Sequence, residues 1–235
     1  LDEPTAGLDP SAVDAALGLV ERLVAELDAT LLVITHDPAV AARLTSRVVE
    51  MRDGRLADGG PAREVVAADR PGAPRNDGTR GDAEPVLCVR SLTASAPGLA
   101  DPPVTGLDLD VLEGEAVALT GPSGSGKSTV CSVVAGLLDA EDGRVVLGGR
   151  VLDGAGEFVR AGRRQVALLS QDPGVFTHMS VLGNVVFALR CQGVRRGEAV
   201  TRARAELAAV GAEHLASRSG GALSGGQAAR VALAR

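Results

Sequence analysis

The sequence predicts an α/β fold with a parallel sheet at its centre, and three stretches carry that prediction. Residues 30–35 (TLLVIT) form a continuous apolar run, the pattern of a strand buried on both faces. Residues 115–120 (EAVALT) repeat the pattern and lead directly into Gly121-Pro122-Ser123-Gly124-Ser125-Gly126-Lys127-Ser128-Thr129. Residues 128–138 then carry apolar positions at helical period. Strand, glycine-rich loop and helix in this order form the setting in which G-x-x-x-x-G-K-[ST] cradles phosphate.

The chemistry follows from what a phosphate chain requires. It crowds oxygens and negative charge into a small volume, so it needs convergent backbone N–H groups, a cation and a metal ligand. Glycines at 121, 124 and 126 can take angles that a Cβ would forbid, which lets the loop wrap closely. Lys127 would reach the β and γ phosphates, and the Ser128 hydroxyl would hold Mg²⁺. Of the 24 Lys plus Arg, 23 are Arg, and Lys127 is the lone lysine. A compact ammonium is thus kept where a phosphate pocket needs one.

Composition narrows the classes. The 235 residues carry a net charge of −6 with a sequence pI of about 5.2, which argues against a general nucleic-acid binder. Cys88, Cys131 and Cys191 are widely spaced and make neither a disulfide framework nor a zinc site. No apolar run approaches the roughly 18 residues of a membrane span, so membrane contact is expected through partners.

In chain order, Asp2 and Glu3 stand where a hydrophobic strand would deliver paired carboxylates, although two adjacent acids alone are most often a solvated turn. Asp9 and Pro10 start a helix as N-cap and first helical residue, and apolar positions recur over 11–27. The strand at 30–35 ends on His36, at the carboxyl end where ligand groups gather in such folds. Asp37-Pro38 starts another helix, residues 47–51 with the turn Asp53-Gly54 predict a hairpin, and 61–68 reads as a closing helix. Residues 69–84 mix Pro, Gly and charge without one large apolar side chain and read as a linker.

Beyond it, 86–92 and 104–112 alternate as antiparallel strands do, and 143–152 reads as a hairpin turning at Gly148-Gly149. Residues 164–170 are expected to form a further buried strand with Gln171 at its end. Residues 181–190 and 196–210 are helical in period. Ser224 then caps a helix running to residue 235, with Gly225, Gly226 and Gln227 in its first turn and backbone N–H groups open to an anion.

Taken together, the loop at 121–129, Gln171, the run Leu223-Ser224-Gly225-Gly226-Gln227, Asp2-Glu3, the segment around Asp9 and His36 resemble the ATP-binding cassette (ABC) family of transporter ATPases. The resemblance implies a P-loop NTPase cassette: a RecA-like parallel core, an antiparallel β subdomain and a helical signature subdomain. It implies that Lys127 and the loop amides bind the phosphates of ATP, that Ser128 and Gln171 ligate Mg²⁺, and that Asp2 stabilises the metal through water. Glu3 would be the general base, His36 would contact the γ-phosphate, and Ser224 with Gly226 would clamp ATP bound on an opposing cassette. Asp9 would couple the two sites of a cassette pair.

In that family the P-loop precedes Asp-Glu and His, whereas here it follows them. Two fused cassettes account for the order, with 1–68 as the back of the first, 69–84 as linker and 85–235 as the front of the second. A circular permutation gives the same order. On the tandem reading the chain is an internal fragment, and by itself it is expected not to turn over ATP. The implied partners are transmembrane permease subunits and a second cassette, with no nucleic acid, at the cytoplasmic face of the cell membrane. Residues 177–182 (THMSVL) resemble importer-type cassettes, which points to a small nutrient or ion, with His178 as a packing residue. A soluble tandem cassette acting on ribosomes is the alternative. A DNA-repair ATPase would need long insertions, and 97 residues from Lys127 to Ser224 leave no room.

One departure from the family concerns the base. The usual stacking aromatic upstream of the P-loop has no counterpart in residues 91–100 (SLTASAPGLA), and the three aromatics, Phe158, Phe176 and Phe187, all lie downstream. Loss of one stack costs on the order of 1 kcal/mol. ATP and GTP are therefore expected to bind with similar affinity in a nucleotide titration, and a strong preference for ATP would contradict this.

Overall fold

The computed structural model describes residues 1–5, 8, 10–57, 84–96 and 102–235. In chain order the elements are α1 (Pro10–Glu26), β1 (Leu31–Ile34), α2 (Pro38–Leu44), β2 (Arg47–Arg52), β3 (Arg55–Leu56), β4 (Leu87–Ala94), β5 (Val104–Val111), β6 (Ala116–Thr120), α3 (Lys127–Ala135), β7 (Asp142–Leu147), β8 (Arg150–Gly154), β9 (Glu157–Phe158), α4 (Val181–Cys191), α5 (Arg196–Ala209) and α6 (Gly225–Leu233). They divide into two compact units, Leu1–Glu3 with Glu21–Leu168 and Pro4–Val20 with Leu169–Arg235. The expected helix at 61–68 and the expected linker, apart from Glu84, lie outside the described residues.

In the first unit, four strands form a sheet in the order β1-β6-β2-β3. Central β6 pairs in parallel with β1, Ile34 opposite Leu119, and in parallel with β2, Val49 opposite Leu119. Val33, Val117, Ala118 and Leu119 are fully buried, which is why both predicted strands read as unbroken apolar runs. Leu1–Glu3 lies along the outer edge of β1: Ile34 N–H donates to the Leu1 carbonyl (2.7 Å) and Glu3 N–H to the Ile34 carbonyl (3.0 Å). β2 and β3 form the hairpin expected at Asp53-Gly54, with the additional parallel ladder to β6.

A second, antiparallel sheet of the same unit has the order β5-β4-β7-β8-β9. Its alternation is visible in the pairing: Leu87, Val89 and Leu92 of β4 and Leu107, Leu109 and Val111 of β5 are buried. These side chains join Ile34, Met51, Leu119, Val130 and Val133 in one hydrophobic core. Strands from residues 31–56 and from 87–154 thus bury their apolar faces together.

A polar seam accompanies that core. Arg47, at the start of β2, meets Glu115, just before β6, with both guanidinium nitrogens on the carboxylate at 2.7 and 3.1 Å. The side chains are only 13% and 8% exposed. The same carboxylate accepts Leu112 N–H at 2.9 Å, and Arg47 also donates to the Asp110 carbonyl, so the buried charges are satisfied on several sides.

Residues 164–170 do not form the expected strand. They enter neither ladder system and have no strand partner among the described residues. Arg164, 1% exposed, turns inward instead and donates to the Val133 carbonyl (2.5 Å), the Val134 carbonyl (3.3 Å) and Asp153 Oδ2 (3.1 Å). The guanidinium therefore closes the C-terminal turn of α3, where helix carbonyls lack intrahelical donors and favour a cation.

The second unit is helical. Val181, Val185 and Leu189 of α4 and Ala199, Ala203 and Leu207 of α5 are buried. Fully buried Asn184 accepts Phe176 N–H (2.8 Å) and donates to the Phe176 and Ser180 carbonyls (3.1 and 3.0 Å), fastening the preceding loop to α4. His178 is exposed, its ring 5.9 Å from that of Phe176.

Removing Arg47 leaves Glu115 buried without its cation, so Arg47→Met is expected to lower stability by about 3–5 kcal/mol in urea unfolding. The exposed pair Arg52–Glu50 provides the contrast, and Arg52→Met is expected to change stability by less than ~1 kcal/mol. Equal effects of the two substitutions would contradict the buried role of Arg47.

Candidate functional site

β6 delivers Gly121 at the carboxyl end of the sheet, where the chain leaves the ladder with φ +131°. A Cβ here would run into the Met51 carbonyl of β2, so only glycine lets the loop depart this close to its neighbour. Gly126 has φ +96°, and a Cβ on it would lie 2.5 Å from the Pro103 carbonyl. As N-cap of α3 it brings no side chain to the first turn, which leaves the helix amides to an external acceptor.

Lys127, 8% exposed, folds back across the loop. Its ammonium donates to the Gly121 carbonyl (2.9 Å), the Pro122 carbonyl (2.8 Å) and Ser125 Oγ (3.3 Å). All three partners are neutral, and a phosphate oxygen is a stronger acceptor than any of them. Pro122, Ser123, Gly124 and Ser128 are exposed, and Thr129 is buried below the loop. The cradle thus combines a held cation, a helix N-terminus and an open rim.

Mg²⁺ fits this donor set. It takes oxygen ligands and is commonly held by few protein groups together with substrate phosphates. Ser128 presents an exposed hydroxyl on the first turn of α3, and the described residues contain no cluster of three His, Cys, Asp or Glu that would form a separate metal cage.

The sheet register places acidic and imidazole groups on the same edge. Ile34 is level with Leu119, so His36 and Gly121 each lie two residues beyond paired positions. Asp2 bridges to Ile34 on the other side of β1, which sets Glu3 one residue further along. Glu3 has φ +49°, in the left-handed region that favours glycine, while its N–H remains bonded to Ile34. Such local strain is a feature of functional turns.

His36 Nδ1 lies 2.9 Å from Glu3 Oε1 and 2.8 Å from Oε2. The hydrogen bond to Glu3, and then its charge, raise the imidazole above its ordinary 6.5, against the opposing charge of Lys127. Next to His36, Asp37 caps α2 by accepting Ala39 N–H at 2.8 Å, as expected from Asp37-Pro38. In α3, burial pushes the Cys131 thiol up to about 11, and the charge of the Asp2 carboxylate adds to the effect.

The first unit therefore brings together the loop at 121–129, Asp2, Glu3 and His36. Gln171 belongs to the second unit, exposed beside a turn in which Asp172 Oδ1 accepts Gly174 N–H at 3.0 Å. Ser224 and Gln227 belong to that unit too and form a capping box: Ser224 Oγ accepts Gln227 N–H (3.4 Å), and Gln227 Oε1 accepts Ser224 N–H (3.1 Å). Gly225 and Gly226 are the first two residues of α6 between them. Asp9 lies outside the described residues. Sequence reading missed the carbonyls of Met51 and Pro103 as the walls behind Gly121 and Gly126, because main-chain atoms leave no signature except the glycines they require.

The family model described as "ABC transporter" matches residues 104–235. The Fe(3+) ions import ATP-binding protein FbpC of Streptomyces avermitilis is 48% identical over 129 residues, covering 55% of this chain and 36% of that protein. The molybdenum import ATP-binding protein ModC of Mycobacterium tuberculosis is 46% identical over 135 residues, covering 55% of this chain and 37% of its own length. The chain thus spans about a third of the length of these curated relatives. Among solved structures, the dimeric bacterial ABC transporter cassette MJ0796 aligns with a TM-score of 0.55 and 25% identity, covering 63% of this chain and 67% of that one.

The Glu3–His36 contact predicts a pH dependence with a definite sign. The contact favours the charged imidazole, so it is complete below pH 6.5 and is lost as pH rises through the raised midpoint. NMR titration of His36 is expected to give a midpoint above 6.5, falling back in Glu3→Gln. An unchanged midpoint in the variant would contradict the pairing.

Proposed function

Because the chain belongs to the ABC transporter family, through its match over residues 104–235, we propose that it is part of an ATP-binding and ATP-hydrolysing component that energises an importer. The observation that carries the reading is the loop at 121–129, whose lone lysine is held among neutral oxygens at the mouth of a helix N-terminus. A triphosphate replaces those weak acceptors with charged ones.

Within this reading Lys127 and the loop amides bind phosphate, and the family resemblance would have Ser128 and Gln171 hold Mg²⁺, with Asp2 acting through water. Mg²⁺ held there would supply charge neutralisation for the phosphate oxygens. Glu3 accepts a proton from the attacking water as its oxygen bonds to the γ-phosphorus and the bond to ADP breaks. His36 contacts the γ-phosphate. Ser224 and Gly226 offer the capped N-terminus of α6 to ATP on an opposing cassette, and Asp9 couples the paired sites. Pairing of cassettes is supported by the dimeric state named for MJ0796.

The cargo class is a small nutrient or ion, supported by the names of relatives that import ferric ions and molybdenum. No helix of the described residues is long and apolar enough to cross a membrane. The proposed partners include transmembrane permease subunits, supported by the names of the import relatives. The proposed place is the cytoplasmic face of the cell membrane. The motif order, Asp2-Glu3 and His36 ahead of the loop, supports a parent with two fused cassettes joined through residues 69–84.

The test uses the whole protein that contains this chain, tagged in its native cells. It is expected to co-purify with membranes, and Lys127→Ala is expected to abolish ATP-dependent uptake of ferric ion or molybdate. Co-sedimentation with ribosomes, with uptake of both unchanged, would overturn the transport reading in favour of a soluble ribosome-acting ATPase.

A further inference from the structure

We propose that Arg235 is a positioning residue for Gln171: its guanidinium fastens the loop that follows Gln171 to the far end of α6, the helix that begins at Ser224. The inference rests on the reading above, in which Gln171 would help hold Mg²⁺ beside a bound nucleotide, and adds the side chain that steadies its loop.

The first argument is how the loop is held on the Arg235 side. Gly174, three residues past Gln171, has φ +58°, a left-handed turn, and its N–H is taken by Asp172 Oδ1 at 3.0 Å. Its carbonyl accepts Arg235 Nη1 at 2.6 Å. Two residues on, the same guanidinium lies over the Phe176 ring, with Cζ 5.1 Å from the centroid. Arg235 thus meets the loop with a hydrogen bond and a cation–π contact at once. A planar, delocalised cation makes that pair of contacts better than a compact ammonium does.

A second argument is that the loop is also held by α4. Asn184 bonds both polar groups of the Phe176 backbone, and the Phe187 ring meets the Phe176 ring edge-on, 5.3 Å between centroids. Phe176 is therefore fixed from α4, while Arg235 reaches further back, to Gly174. An amide that must meet a metal-bound nucleotide gains from standing on a held loop, because ordering the loop at the moment of binding costs affinity.

Arg235 in turn belongs to α6. Its N–H donates to the Ala232 carbonyl (3.2 Å) in the last turn, and Val231 of the same helix is fully buried. The 9 residues of α6 make a rod of roughly 14 Å, with the Ser224 cap at one end and the guanidinium just past the other. All of these contacts lie within the second unit, so Arg235 ties the Gln171 loop to the helix that carries Ser224. Arg230 offers an internal comparison: on the same helix it donates to the Gly211 carbonyl (3.4 Å), past the end of α5.

The test is equilibrium binding of ATPγS to the full 235-residue chain, once with Mg²⁺ and once with the metal removed by a chelator. The ratio of the two affinities reads what metal-dependent contacts add, and amide hydrogen exchange at residues 172–176 reads the loop itself. Arg235→Ala is expected to cut the ratio about fivefold and to speed exchange at 172–176 severalfold, the loss of one charged hydrogen bond and one cation–π contact. Metal-free affinity is expected to stay unchanged, which certifies the fold and the phosphate loop. Arg235→Lys is expected to recover part of the ratio through the bond to Gly174, and Arg230→Ala to leave it intact. A ratio unchanged in Arg235→Ala, with both affinities still impaired by Lys127→Ala, would overturn the positioning role and leave the phosphate loop standing. A ratio near one in the unsubstituted chain would overturn the metal role of Gln171 and the inference with it. Binding that is absent, or indifferent to Lys127→Ala, would overturn the loop reading itself.

Discussion

β6 holds two parallel ladders at once, with Leu31–Ile34 on one side and Arg47–Glu50 on the other, and the position of every group at the phosphate loop follows from those two registers. Parallel strands present their carboxyl ends on one edge, so fixing Ile34 opposite Leu119 brings His36 to the level of Gly121. The same ladder explains the glycine at 121: with β2 paired at normal strand spacing, the Met51 carbonyl occupies the space of a Cβ. Register, close approach and loop conformation are one constraint seen from three sides.

Charge is distributed in keeping with that geometry. Arginine does the structural work: Arg47 meets Glu115 bidentately along the sheet, Arg90 meets Asp110 on the antiparallel sheet, and Arg164 closes the end of α3. Each uses the planar fork to satisfy several acceptors in a fixed direction. The only lysine sits in the loop, where its three rotatable donors rest on neutral oxygens and can exchange them for phosphate. The Glu3–His36 pair differs from the buried Arg47–Glu115 and Arg164–Asp153 pairs in being open to solvent on the imidazole side, which suits an ion pair that a ligand must be able to rearrange.

Chain order and spatial order are independent in a parallel sheet, because neighbours are joined through crossovers and not through turns. The second unit follows a separate logic, in which a fully buried Asn184 fastens a loop to α4 and Ser224 with Gln227 satisfies the amides at the start of α6. Its capped, glycine-bearing helix end remains at the surface.

Residues 121–129, the strands at both flanks and the helix that follows were legible from the chain alone, since glycine positions, a lone lysine and unbroken apolar runs report local requirements. So were the hairpins at Asp53-Gly54 and Gly148-Gly149, where positive φ demands particular residues. The strand expected at 164–170 failed because a ladder needs a partner, and local hydrophobicity says nothing of whether one is available. The sequence by itself determined the phosphate loop, its cation and the α/β character of the chain, all properties of neighbours within about a dozen residues. Only the tertiary structure decided that Glu3 and His36 stand at the edge of the same sheet as Lys127, because strand pairing joins segments 80 residues and more apart through backbone hydrogen bonds that carry no side-chain signature.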